Sequence, residues 1–472
     1  MSLLIRNGRI ITSTDDYLAD IYCAGETITR IESQIDPKSV PPQTQVIDAK
    51  NKYVFPGFID PHVHVYLPFM GTFAKDTWET ASRAALVGGT TTLIEMICPG
   101  KTDDAMEAFE LWLSKAQEIS ACDFTFHMGV TRFDDRTAAQ LREIVGKRGI
   151  SSFKVFLAYK GALGVDDREL YQTLKLAKEL GVIVTAHCEN ETLVAERQAE
   201  LLAAGKLGPE FHELSRPVQV EAEGVQHLMT FAELTGAHIY IVHTSCEEAL
   251  AAALRGRQCG VNVWIETVIP YLTLDKTYAE KSTPLFEGAK FVMSPPIRDK
   301  RHQPILWNAL RSRLISTVAT DHAPFDFQTQ KTMGQPPENA FTKIPNGIPS
   351  VENRIDLLYT YGVAAGRISL NTFVECASTQ AAKLFGLNGK GTIAPGSDAD
   401  LCIYDPEYRG TISARNQYMA TDYNAFEGWE VKGRPHVVTV RGEIMARDGK
   451  FIGKLGRGKL LQREPTHFAN RG

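Results

Sequence analysis

Between residues 56 and 389 the chain repeats one unit: a helix with an apolar stripe, a glycine that ends it, a short apolar strand, then a polar residue. Residues 77–87 have helical spacing, Gly88-Gly89 stops them, and residues 90–96 are β-branched and apolar. Asp167–Leu180, Gly181 and residues 182–186 lead to His187, while residues 221–235, Gly236 and residues 239–242 lead to His243. Residues 304–311 and 315–319 lead to Asp321 in the same way. Continuous apolar strands alternating with helices require parallel pairing with both sheet faces covered. Repeated this often, the pattern predicts an α/β chain with a (β/α)8 TIM-like barrel. An open doubly wound sheet is the alternative, and its dinucleotide-binding form lacks the G-x-G-x-x-G it needs after a strand.

The ends read differently. Residues 1–55 hold short strand patterns at 3–5, 10–12, 22–23 and 28–31, with Asn7-Gly8 as a hairpin signal. Residues 390–472 do the same at 400–404, 437–441 and Glu443–Arg447, with Asp448-Gly449 as a tight turn before 451–452. The expectation is one small β-sandwich domain built from both termini, with the catalytic barrel inserted between them. Two separate terminal β domains would each be small for independent stability.

The net charge of −5 comes with no basic stripe, which argues against nucleic acid as a partner. No stretch is apolar for long enough to cross a bilayer, and the first residues read as a strand running into a turn rather than a leader, so a cytoplasmic location is expected. The eight cysteines are scattered without a C-x-x-C pair and read mostly as small buried hydrophobes. Cys98 and Cys188 are the two placed near a prospective pocket.

Asp60-Pro61-His62-Val63-His64 sets two imidazoles two residues apart, which on a strand point to one side. A lone pair of this kind is also compatible with hydrogen-bonded core histidines. Here, however, His62/His64, His187, His243 and Asp321 all follow predicted strands, at the end where barrel enzymes gather their functional groups. Such a histidine–carboxylate set suits zinc or manganese. His227, His302 and His436 lack this placement and read as ordinary surface or core residues; His127 ends a strand-like run and stays open between a barrel-face residue and a ligand. The polar connection 326–353 is long for a compact domain, and loops of that length usually serve function.

Together with Ser152-Phe153-Lys154-Val155-Phe156-Leu157-Ala158-Tyr159, Ala186-His187, Val242-His243 and Asp321-His322, the His62/His64 motif resembles the dihydropyrimidinase/hydantoinase (D-hydantoinase-like) branch of the amidohydrolase superfamily. Gly88-Gly89-Thr90-Thr91-Thr92, Ser294-Pro295-Pro296, Ile344-Pro345-Asn346-Gly347 and the segment from Asp422 to Gly428 extend the resemblance along nearly the whole chain.

The resemblance implies two divalent cations, zinc first and manganese as the alternative. Lys154 would be carbamylated to N6-carboxylysine, because an ammonium is a poor ligand whereas a neutral amine takes up carbon dioxide to become an anion. His62, His64, Lys154 and Asp321 would hold one cation; Lys154, His187 and His243 would hold the other. The implied reaction is hydrolytic ring opening of dihydropyrimidines or 5-substituted hydantoins to N-carbamoyl amino acids. Asp321 would shuttle the proton and Tyr159 would donate to the oxyanion. Main-chain groups at Ser294 and Asn346, with Tyr159, would bind the cyclic imide or amide substrate; Leu67, Phe69 and Phe156 would meet its side group.

A homotetramer is also implied, with the tail 421–472 contributing to contacts. Tyr66 stands where dihydroorotases carry a carboxylate-binding arginine, which favours the hydantoinase reading over an allantoinase, a dihydroorotase-like enzyme or an isoaspartyl dipeptidase-like one. A non-catalytic scaffold protein of this family would have lost metal ligands, and all six positions are present here.

Overall fold

The computed structural model describes residues 2–280 and 286–465. The last part of the tail assigned above to subunit contacts, residues 466–472, lies outside the described residues. Eight parallel strands run in chain order around one sheet: β1 Phe58–Val63, β2 Thr90–Ile97, β3 Asp123–Gly129, β4 Ser152–Phe156, β5 Ile183–His187, β6 His238–Ile241, β7 Val263–Val268 and β8 Thr317–Ala319. The Asp321 N–H donates to the His62 carbonyl (3.0 Å) and the His64 N–H to the His322 carbonyl (2.8 Å), joining the last strand to the first. The barrel expected from the repeat is therefore present, and the bonds that close it lie at prospective ligands. Its strands are buried almost throughout, as strands covered by helices must be.

The helices obey their local signals. Thr77 caps Trp78–Val87 in a capping box with Thr80, and Asp166 caps Asp167–Leu180 with Glu169. Gly181 and Gly236 end their helices at φ 68°, the left-handed conformation that a side chain would resist. The helix expected to begin at residue 221 begins earlier, at Val218, because Pro217 sits at its N-cap.

Both chain ends pair in one nine-stranded, largely antiparallel sheet. The junction is Tyr53–Pro56 against Leu401–Thr411, so the alternative of two separate β units does not hold. One face of this sheet encloses a cluster around Leu3, Ile10, Ile21, Leu401 and Ile403. The other leans on the barrel, where Phe55 packs on Phe58 (5.6 Å) and Phe373 (5.3 Å).

One local expectation fails. Asn7-Gly8 lies inside the single strand Ser2–Ile11, where Asn7 at φ 60° marks a register shift rather than a hairpin. The neighbouring strand extends the pairing past it, and Asp20 takes the Asn7 N–H at 2.7 Å. The chain reverses instead at Thr12–Asp15, where the Thr12 N–H donates to the Asp15 carbonyl (3.0 Å). Asp448-Gly449 forms the expected turn, with φ 51° and 75°.

The strands' N-terminal ends face a buried ion network. Lys390 Nζ lies 2.5 Å from Asp123, 2.7 Å from Asp400 and 2.9 Å from Asp398, and Arg441 also pairs with Asp123. The described part of the tail straps this end. The Phe124 N–H donates to the Lys459 carbonyl (3.0 Å), the Leu461 N–H to the Phe124 carbonyl (2.8 Å), and the Arg463 N–H to the Gly149 carbonyl (2.7 Å).

Candidate metal centre

At the opposite mouth, His62, His64, Lys154, His187, His243 and Asp321 line one cavity with Tyr159, Ser294 and Asn346. Every residue assigned to the site from the sequence is thus brought together. His62 lies in β1 with His64 just beyond it, their rings 5.2 Å apart, as the two-residue spacing requires. His187 is the last residue of β5, while His243 and Asp321 follow β6 and β8 by a step. Lys154 is different: it is the middle residue of β4, wholly buried, and its long stem carries the amine to the mouth. Tyr159 (φ 63°), His243 (φ 39°) and Asp321 (φ 52°) all hold the left-handed backbone region. For residues other than glycine this costs about 1–3 kcal/mol each, strain that tends to gather at functional sites.

The donor set fits cations. His62 Nε2 and His64 Nε2 lie 3.1 and 3.3 Å from Asp321 Oδ1, and His187 Nδ1 lies 3.0 Å from His243 Nε2. Ligand atoms of His62, His243 and Asp321 fall within 4.8 Å of one another. His62 Nε2, His64 Nδ1 and Lys154 Nζ are buried without a hydrogen-bond partner. Polar atoms left so are expensive in a folded chain unless a ligand completes them.

Burial pulls His64 down to about 4 and, against the pull of Asp321 and Glu266, Lys154 down to about 8. His62 is driven the other way, to about 9: burial opposes its charge, but Glu266 and Asp321 outweigh that. Burial lowers His187 and His243 too, and in His243 the neighbouring His187 adds to it. Asp321 is held well below the usual carboxylate range because the histidines around it outweigh its burial.

A second layer orients these side chains, and the sequence reading missed it. Glu266 in β7 accepts from His62 Nδ1 (2.7 Å), the His243 N–H (2.9 Å) and the Tyr240 hydroxyl (2.8 Å). Glu189 lies 2.8 Å from His187 Nε2 and is paired with Arg216 at 2.6 Å, which holds it at about 2 despite burial. Carboxylates of this kind fix the ring orientation of a ligating histidine. The available signals were a glutamate breaking the apolar run of β7, and a glutamate two residues after His187. Asp60 ties β1 to β8 by accepting from Thr320 Oγ1 at 2.6 Å.

Around the cavity, the Tyr159 ring packs edge-on to Phe69 at 5.4 Å, and burial raises its hydroxyl pKa, keeping it a donor. Leu67, Phe69 and Phe156 line the cavity as expected, and Leu163 joins them. Tyr66 packs on Trp112 at 4.9 Å. His127 is a barrel-core residue, 2.6 Å from Ser152 Oγ and 2.9 Å from the Pro61 carbonyl. His227 pairs with Asp167 and His436 with Asp448. Cys98 and Cys188 are buried and lie outside the cavity lining; of the eight cysteines only Cys259 is exposed.

A closed parallel barrel with this histidine–carboxylate mouth is the architecture of metal-dependent hydrolases, and comparison agrees. The Amidohydrolase family profile matches residues 53–445, and the chain belongs to that family. Within it the chain falls in the hydantoinase/dihydropyrimidinase branch. It is 44% identical to a D-hydantoinase of Geobacillus stearothermophilus over 98% of this chain and 97% of that protein. The structure of a D-hydantoinase (dihydropyrimidinase) from a Thermus species superposes with a TM-score of 0.95 at 61% identity, covering 99% of this chain and all (100%) of that one. A dihydropyrimidinase structure from Brevibacillus agri gives 0.95 at 41% identity, covering 98% and 99%.

Proposed function

We propose that this protein opens the rings of dihydropyrimidines or 5-substituted hydantoins to N-carbamoyl amino acids. Two divalent cations would be held by His62, His64, Lys154 as N6-carboxylysine, His187, His243 and Asp321. The observation that carries the reading is the meeting of His62, His64, Lys154, His187, His243 and Asp321 in one cavity at the C-terminal end of a barrel, with His62 Nε2 and Lys154 Nζ buried without a hydrogen-bond partner. The relatives' activities supply the substrate class. When bound, the cations supply an activated water and a Lewis acid for the amide carbonyl.

The chain's own groups do the rest. Asp321 Oδ1 faces the two histidines, which leaves Oδ2 to take the water proton and deliver it to the ring nitrogen as the C–N bond breaks. The Tyr159 hydroxyl donates to the carbonyl oxygen as negative charge builds on it. Main-chain groups of Ser294 and Asn346 hold the planar ring edge, and Leu67, Phe69, Phe156 and Leu163 wall the side group.

The test is a panel of dihydrouracil, hydantoin, 5-substituted hydantoins and dihydroorotate on protein stripped of metal and reloaded with zinc or manganese, with product chirality read afterwards. Turnover of the first three with about two metals per chain is expected. Failure on all three at full metal content, or preference for dihydroorotate, overturns the reading. The same reading extends to zinc as the resident metal, a cytoplasmic location and a homotetramer, the last checked by light scattering. Among the described residues no helix is long and apolar enough to cross a membrane.

A further inference from the structure

The long loop 326–353 hides a lysine that the reaction does not use. Lys331 is wholly buried, and its Nζ donates to three carbonyls: Val292 (2.8 Å), Pro345 (2.7 Å) and Gly347 (2.7 Å). An ammonium carries three donors and no acceptor, so this head group is fully used. Its acceptors belong to the two segments that carry Ser294 and Asn346.

The consequence for Asn346 follows from peptide geometry. In a trans peptide the C=O and the N–H point in opposite directions. The Pro345 carbonyl is aimed at Lys331, so the Asn346 N–H points away from it. The Gly347 N–H donates to the Val292 carbonyl (3.0 Å), so the Asn346 carbonyl points away as well. Among the described residues neither main-chain group of Asn346 has a partner, and Asn346 lines the cavity. A donor and an acceptor are thus offered side by side, the complement of a ring –NH–C(=O)– edge. The hub is also seated against the metal-bearing strand end: a Cβ on Gly347 would meet the Ala323 carbonyl at 2.2 Å, two residues from Asp321.

We propose that Lys331 is the positioning residue for substrate recognition, clamping both segments so that Asn346 presents its N–H and C=O together to the ring. This rests on the reading that Asn346 and Ser294 hold the ring edge. The test compares the metal-loaded parent with Lys331→Met on hydantoin and on hydantoin methylated at the ring nitrogen that is not the leaving group. The parent should favour hydantoin. In the variant the hydantoin KM should rise about tenfold with a smaller change in kcat, and the preference between the two rings should collapse towards unity at unchanged metal content.

Equal loss on both rings with the preference intact means a merely structural role and overturns the proposal, as does a KM within twofold of the parent. A parent that opens both rings equally well removes the ring-edge reading itself, and the proposal with it. If Lys331→Met does not fold, Lys331→Gln, which keeps an amide donor, is read by the same criteria.

Discussion

The two ends of the barrel both bury charge and treat it in opposite ways. At the lower end Lys390 Nζ meets Asp123, Asp398 and Asp400 and Arg441 pairs with Asp123, so each of these head groups has an opposite charge at contact distance within the chain. At the upper end Lys154 Nζ, His62 Nε2 and His64 Nδ1 are just as buried and have no hydrogen-bond partner. Paired charges hold parts together; several unpaired donors facing one cavity suit something that binds. Left-handed backbone does not separate the ends: His243 (φ 39°) and Asp321 (φ 52°) hold it above, and Arg441 (φ 45°) holds it below.

The sharpest way to break this contrast is Lys154→Ala. Hydrolysis should fall by more than about a thousandfold, metal content should drop, and small carboxylic acids should partly restore activity. Full activity without rescue would remove Lys154 from the metal centre. The matching change below, Lys390→Met, leaves buried Asp400 without its lysine and buried Asp123 with Arg441 alone, and should cost about 3–5 kcal/mol in urea unfolding. Turnover per folded, metal-loaded molecule should stay at the parent value; a fall in metal affinity would mean that the two ends are not separable.

Tyr159→Phe keeps the ring packing and deletes one donor, so kcat should drop about a hundredfold with KM little changed. A change confined to KM would count against an oxyanion role.

Glu352 offers a third buried ionisable group to set beside Lys154 and Lys390. It is buried at the seam between barrel and terminal sheet, accepting from the Tyr418 N–H at 2.7 Å, and burial pushes its carboxyl up to about 8. A raised carboxyl favours the folded state below its ordinary value near 4.5, and that stability is lost as pH rises towards 8. Glu352→Gln should therefore match the parent in urea at pH 5 and exceed it at pH 8. Parallel curves at both pH values would show that the carboxyl does not titrate in this window. The smallest effect belongs to Arg142→Ala, whose exposed bridge to Glu179 should contribute less than about 1 kcal/mol.

Much of this molecule is legible in the chain. The alternation of apolar strands and glycine-stopped helices requires a parallel sheet, and its repetition predicts closure. Four candidate stations, the His62/His64 pair, His187, His243 and Asp321, could be placed because each lies at or just past a strand end, and strand ends share one face of a barrel. Lys154 could not be placed that way. It stands mid-strand, and periodicity alone does not say that a lysine there points inward; it entered only through family resemblance. Asn7-Gly8 misled because a local turn signal lost to strand pairing on both sides of it.

What the sequence determines by itself is therefore the set of elements and the end of the barrel where chemistry collects, since both depend on short-range periodicity. Only the tertiary structure decides that Glu266 and Glu189 orient the histidines and that Lys331 turns the Asn346 peptides towards the cavity. Those contacts join residues far apart in the chain, and their meaning lies in distances and directions that no local pattern encodes.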